Sequence, residues 1–94
     1  MRARFYIDPA TGSPYIYGHD VDEDEVIQVL ERPDEDRNGR EGSRLALGQT
    51  DSGRYLRVIY VPDVERDSVF VVMAYELAGK PLAAFRRRRK KKQQ

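Results

Sequence analysis

One imidazole, two strand arginines and two tyrosines are the side chains here best suited to move protons and hold developing negative charge. His19 is the only histidine, and an imidazole exchanges protons near neutral pH without help from its surroundings. Arg44 and Arg57 each offer several fixed donors to a phosphate or an oxyanion. Tyr55 and Tyr75 carry rings on which unpaired bases can stack, and the Tyr75 hydroxyl can also take part in proton transfer. Each residue has a plainer reading as well. A lone histidine beside a helix start is often structural, arginines pair with carboxylates, and Tyr55 with Tyr75 is an ordinary cross-strand aromatic pair.

Other chemistries find little support. The chain has no cysteine, so it offers no thiolate nucleophile, no thiolate metal ligand and no disulfide, as suits a reducing cytoplasm. Asp20, Asp22, Glu23, Asp24 and Glu25 lack a second cluster of oxygen ligands, so no metal and no other cofactor is expected. There is no P-loop and no paired-glycine fingerprint. Asp51-Ser52-Gly53 reads as a turn. The longest apolar run, residues 69–75, is far short of the roughly 20 residues that span a bilayer, and no signal-like segment follows Met1.

Charge is unevenly spread. The 94 residues hold 17 basic and 16 acidic side chains, but seven of the basic ones stand in a row at 86–92. Residues 1–85 therefore carry 10 basic against 16 acidic groups, a net of −6. An acidic body with a cationic tail can attract a polyanion despite its near-zero total. Arg86, Arg87, Arg88 and Arg89 are candidate RNA contacts for this reason, with Lys80 and Arg54. The run can equally solubilise the chain or dock on its own carboxylates. As a tail at 86–94, beyond a single domain at 1–85, its removal is expected to leave the fold largely intact.

The elements that must position these groups can be read from pattern. Residues 4–8 read as a strand with Phe5 and Ile7 on one face. Asp22 and Glu25 have capping-box spacing, and Val21 with Val26 that of a hydrophobic staple. Val26, Ile27, Val29 and Leu30 form an apolar stripe, and Pro33 stops the helix. Residues 34–42 are polar and read as a loop. Strands follow at 44–50, 55–61 and 69–76, the first two joined by a hairpin. Centring that hairpin on Ser52-Gly53 pairs Leu47 with Val58 and Leu45 with Tyr60. Val58 then faces Val72, and Tyr60 faces Phe70. This register keeps Arg57 out of the core and sets Arg44, Tyr55, Arg57 and Tyr75 on one face. Gly79-Lys80-Pro81 begins a last helix with Leu82 and Phe85 as a short apolar side, and the basic run either continues it or frays from it.

The order strand, helix, three antiparallel strands, helix resembles the BrnT-type toxins, within the wider RelE-like ribonuclease toxins. The resemblance rests on Phe5 with Asp8-Pro9, on His19-Asp20-Val21 leading into the helix, on Val26 to Leu30 with Pro33, on Arg44 to Gly48, on Ser52-Gly53-Arg54-Tyr55-Leu56, and on Val71 to Tyr75. It implies an α+β fold with a small antiparallel sheet of three to four strands and helices on one face. It also implies RNA cleavage on the other face, mRNA on the ribosome being one substrate, and an antitoxin partner that blocks that face. His19 and Arg44 keep the family's residue types. Gly18 stands where the family has lysine, and Tyr75 where it has arginine. The alternative is a non-catalytic RNA- or protein-binding module of the same fold, with a homodimer as one form.

Overall fold

The computed structural model describes residues 1–92. Five strands form one mixed sheet: β1 (Arg2–Phe5), β2 (Glu35–Asn38), β3 (Arg44–Gln49), β4 (Tyr55–Asp63) and β5 (Ser68–Glu76), in the order β1-β5-β4-β3-β2. β1 runs parallel to β5, and the other pairings are antiparallel. The helices are α1 (Glu23–Glu31) and α2 (Gly79–Lys92), with a 3-10 turn at Tyr15–His19. The fold is α+β, as expected, but the sheet has five strands rather than three to four and is not purely antiparallel.

α1 forms where its capping signals place it. The Asp22 side chain accepts from the Glu25 N–H at 2.8 Å, and Glu25 Oε1 accepts from the Asp22 N–H at 3.1 Å. Two orphan donors are thereby satisfied. Val21 and Val26, the staple pair, are both buried. Helix and turn pack on one sheet face, called inner here. Ile16, Val26, Val29 and Leu30 close over Ala46, Leu56, Val58, Val71 and Ala74. Gly48 lies under the end of α1, where an added Cβ would stand 3.2 Å from Val29 Cγ1 and 3.4 Å from the Arg32 carbonyl. A side chain there would push helix from sheet.

α2 packs on the other, outer face. Phe85, with Leu82 beside it, buries Leu47 and Leu77 against Tyr55. Strand side chains alternate between faces, so Leu47 and Tyr55 point opposite to Ala46 and Leu56. The helices therefore cover both faces, not one. α2 covers only the Leu47–Tyr55 end, and the rest of the outer face is open.

The hairpin register differs from the expected one by a single residue. Leu47 pairs with Arg57, Ala46 with Val58 and Arg44 with Tyr60. The cause is the loop, which has three residues, Asp51 to Gly53, rather than two. Thr50 and Arg54 close it through Thr50 N–H to the Arg54 carbonyl at 2.8 Å, and Gly53 takes φ +97°, the left-handed glycine of three-residue hairpins. In the next pairing Val58 faces Ala74, two residues from its expected partner, and a bulge between Ile59 and Tyr60 then sets Tyr60 opposite Val71, one residue from its expected partner. Arg57 still escapes the core, because its part of the outer face is only partly covered.

Two further expectations are corrected. Residues 34–42 contain strand β2, because an edge strand needs only a backbone ladder to β3. Its acidic side chains are held by arginines rather than by apolar packing. The first strand ends at Phe5, and Ile7 is exposed in an isolated bridge to Pro14. Of the two courses open to the basic run, it continues the last helix: α2 runs unbroken from Gly79 through Lys92.

Candidate functional site

Three of the four expected catalytic side chains come together, Arg57 and Tyr75 from the outer face and His19 from the neighbouring 3-10 turn. Arg57 and Tyr75 are opposite one another on β4 and β5. Arg57 Nη1 donates to Tyr75 Oη at 2.8 Å, and the guanidinium carbon lies 5.8 Å from the ring centroid. His19, exposed at the end of the 3-10 turn, has its ring centroid 6.3 Å from that of Tyr75. Arg57 Nε is buried and has no hydrogen-bond partner among the described residues. A buried unpaired donor costs free energy, and in a native protein it calls for a specific cause such as a catalytic role or an ordered water or ion.

The outer face also carries a half-buried apolar row, Leu45, Ile59 and Met73, between β3 and β5. Beyond it Arg4 lies over the Phe70 ring at 5.5 Å. The surface thus combines a cation–phenol–imidazole group with apolar and aromatic ground.

Arg44 is not part of this group. The one-residue shift in register places it on the inner face beside Tyr60. Its Nε donates to Asp36 Oδ1 at 2.9 Å and its Nη1 to Asn38 Oδ1 at 2.8 Å. Tyr60 Oη donates to Asp36 Oδ2 at 2.6 Å. The Asp36 contact holds the Arg44 guanidinium above its already high pKa. Burial, reinforced by the hydrogen bond to Asp36, holds the Tyr60 phenol above the usual value. This network ties β2 to the sheet.

Arg54 is equally committed. Nη1 reaches both Glu25 oxygens at 2.9 and 2.7 Å, and Nε reaches Glu76 at 3.1 Å. The hydrogen bond to Glu25 leads in raising its pKa. It joins the hairpin to the start of α1 on the inner side.

Tyr55 is covered rather than offered. Phe85 meets its ring edge-on at 5.7 Å, the Arg86 and Arg89 guanidiniums lie 5.1 and 5.8 Å from its centroid, and Arg89 Nη1 donates to its hydroxyl at 3.3 Å. It does not pair with Tyr75, whose cross-strand partner is Arg57. The basic run is thereby divided. Arg88 binds Glu35 through two bonds of 2.8 and 3.1 Å, and Arg89 approaches Asp34 at 3.7 Å. Arg87, Lys90 and Lys91 are exposed, as is Lys80 at the start of α2.

The pattern-based reading missed Tyr6 and Tyr15. Their ring centroids lie 5.9 Å apart, and Tyr15 lies 5.3 Å from His19. The available signal was aromatic density before α1, with no strand to place it on. Among the described residues no group of His, Asp or Glu is arranged to hold a metal ion, and no helix is long and apolar enough to cross a membrane.

Comparison of the chain with protein-family models, with curated proteins and with solved structures gave no match.

Proposed function

We propose that this protein is a metal-independent endoribonuclease of the toxin type, acting in the cytoplasm, with Arg57, Tyr75 and His19 as its reaction centre. The observation that carries the reading is the convergence of these three side chains from distant parts of the chain, with Arg57 Nε unpaired. In such a reaction the ribose 2′-hydroxyl attacks the adjacent phosphorus, the 5′-oxygen leaves, and a 2′,3′-cyclic phosphate remains. His19 takes the 2′-hydroxyl proton. Arg57 neutralises the charge on the phosphorane oxygens. Tyr75 delivers a proton to the leaving oxygen while Arg57 fixes its hydroxyl. The sheet is read as a variant of the RelE-like arrangement, with a protein antitoxin seated on the open outer face.

The test is incubation of purified protein with single-stranded RNA in excess chelator. Cleavage to cyclic-phosphate ends is expected, with a loss of about 100-fold or more in rate for His19→Ala and for Arg57→Ala. Intact RNA, or cleavage indifferent to both changes, would sink the reading. A second reading, a non-catalytic binding module or homodimer using the same face, is favoured by the apolar row Leu45, Ile59 and Met73. Growth arrest on expression, relieved by the adjacent reading frame, separates the first from the second.

A further inference from the structure

The ring contacts do not stop at His19. Tyr6, Tyr15, His19 and Tyr75 form an unbroken row with centroid steps of 5.9, 5.3 and 6.3 Å, and Arg57 closes its end. The backbone explains the alignment. Tyr6 extends the parallel ladder of β1, its N–H bonded to the Val71 carbonyl at 2.9 Å, and Tyr15 N–H bonds to the Tyr6 carbonyl at 2.8 Å. Alternation along β1 puts Tyr6 on the same side as Arg4, the outer face. The row therefore borders the open half of that face along its β1–β5 side.

Burial alone does not account for it. Tyr6 is 42% exposed, His19 is exposed, and Tyr15 only half-buried. Neither Tyr6 nor Tyr15 has a hydrogen-bond partner for its hydroxyl among the described residues. Consecutive rings in the row are inclined at 67°, 75° and 52°, so the row is a corrugated surface of faces and edges rather than a closed stack. Partly exposed rings in a row, with a cation at one end, suit a single-stranded nucleic acid. Every base has a π face to lay on a ring, and the backbone follows the positive charge.

We propose that Tyr6, Tyr15, His19 and Tyr75 are a stacking track for unpaired nucleobases, which extends the reaction centre and restricts its ligand to single-stranded RNA. The choice of RNA rests on the ribonuclease reading above, whereas the track itself does not. Bases lie on the rings, and the sugar–phosphate chain runs on the side of Arg57. Duplex RNA keeps its bases stacked on each other and cannot use the track.

The probe is a short, fluorescein-labelled RNA of mixed sequence, 2′-O-methylated so that it cannot be cut, with its annealed duplex as the control. Fluorescence anisotropy is expected to show tighter binding of the single strand. Tyr6→Ala should weaken that binding about tenfold, Tyr6→Phe should restore it to about twofold of the parent, and duplex binding should not move. Tyr6 is partly exposed, so the variants should fold, as melting curves will verify. Equal binding of strand and duplex, or a Tyr6→Ala protein that binds like the parent, overturns the track. Binding that follows this pattern without any cleavage of unmodified RNA upholds the track and removes the ribonuclease reading.

Discussion

The two faces of this sheet use the same residue types for opposite ends. On the inner face α1 and the 3-10 turn close over a continuous apolar layer, and the arginines at its margin are fully engaged. Arg44 is held by Asp36 and Asn38, and Arg54 by Glu25 and Glu76. On the outer face α2 covers one end only. Among the described residues Arg57 has a phenol hydroxyl as its hydrogen-bond acceptor, no carboxylate ion pair, and one buried N–H unpaired. An arginine matched to a carboxylate holds the fold together. One bound only to a neutral hydroxyl keeps an uncompensated positive charge for a ligand. Which role an arginine takes is decided here by strand parity, and parity by one residue in a turn.

Core truncation gives the widest contrast between the faces. Leu56→Ala empties a fully buried inner position and is expected to cost about 3 kcal/mol. Met73→Ala, on the half-buried outer row, should cost less than about 1 kcal/mol. Denaturant unfolding measures both, and similar losses would show that the outer face is as closed as the inner. Shortening the basic run sharpens the picture of α2. A chain ending after Phe85 loses the contacts to Glu35, Asp34 and Tyr55 and should be destabilised by about 1 kcal/mol. A chain ending after Arg89 keeps them and should melt like the parent, but bind a polyanion less tightly at low salt.

The smallest effect is in the pH profile. Tyr60 keeps its proton to higher pH folded than unfolded. Above roughly pH 10, where an unfolded tyrosine ionises, the unfolded chain holds fewer protons than the native one. Stability then falls with rising pH, and Tyr60→Phe should flatten that limb. A parent and variant with parallel alkaline limbs would remove the inner-face role given to Tyr60 and Asp36.

The helical cover of the inner face was legible in the sequence, whereas its β3 layer was not: Leu45 and Leu47, expected beside Val58 and Tyr60, lie on the outer face. The capping box at Asp22 and Glu25, the staple and the stop at Pro33 are local signals, and α1 lies where they put it. Strand β2 was hidden because Glu35 to Asn38 has no apolar side chain, and its pairing comes from distant arginines and the β3 backbone. The hairpin register turned on whether the Asp51–Gly53 loop held two residues or three. That choice moved Arg44 away from Arg57, so the expected group of four became three. His19 and Tyr75 meet only through the fold, and Tyr6 and Tyr15 join them through an isolated bridge that no periodicity announces. The basic run looked uniform, and only the positions of Asp34 and Glu35 divide it into anchoring and exposed side chains.

The most direct test compares Arg57→Ala with Arg44→Ala in chelator-treated RNA cleavage, at a temperature where melting curves show both folded. The account predicts that Arg57→Ala loses about 100-fold in rate, while Arg44→Ala stays within about twofold of the parent. Loss of activity in Arg44→Ala with full activity in Arg57→Ala would contradict the assignment of the reaction centre to the outer face.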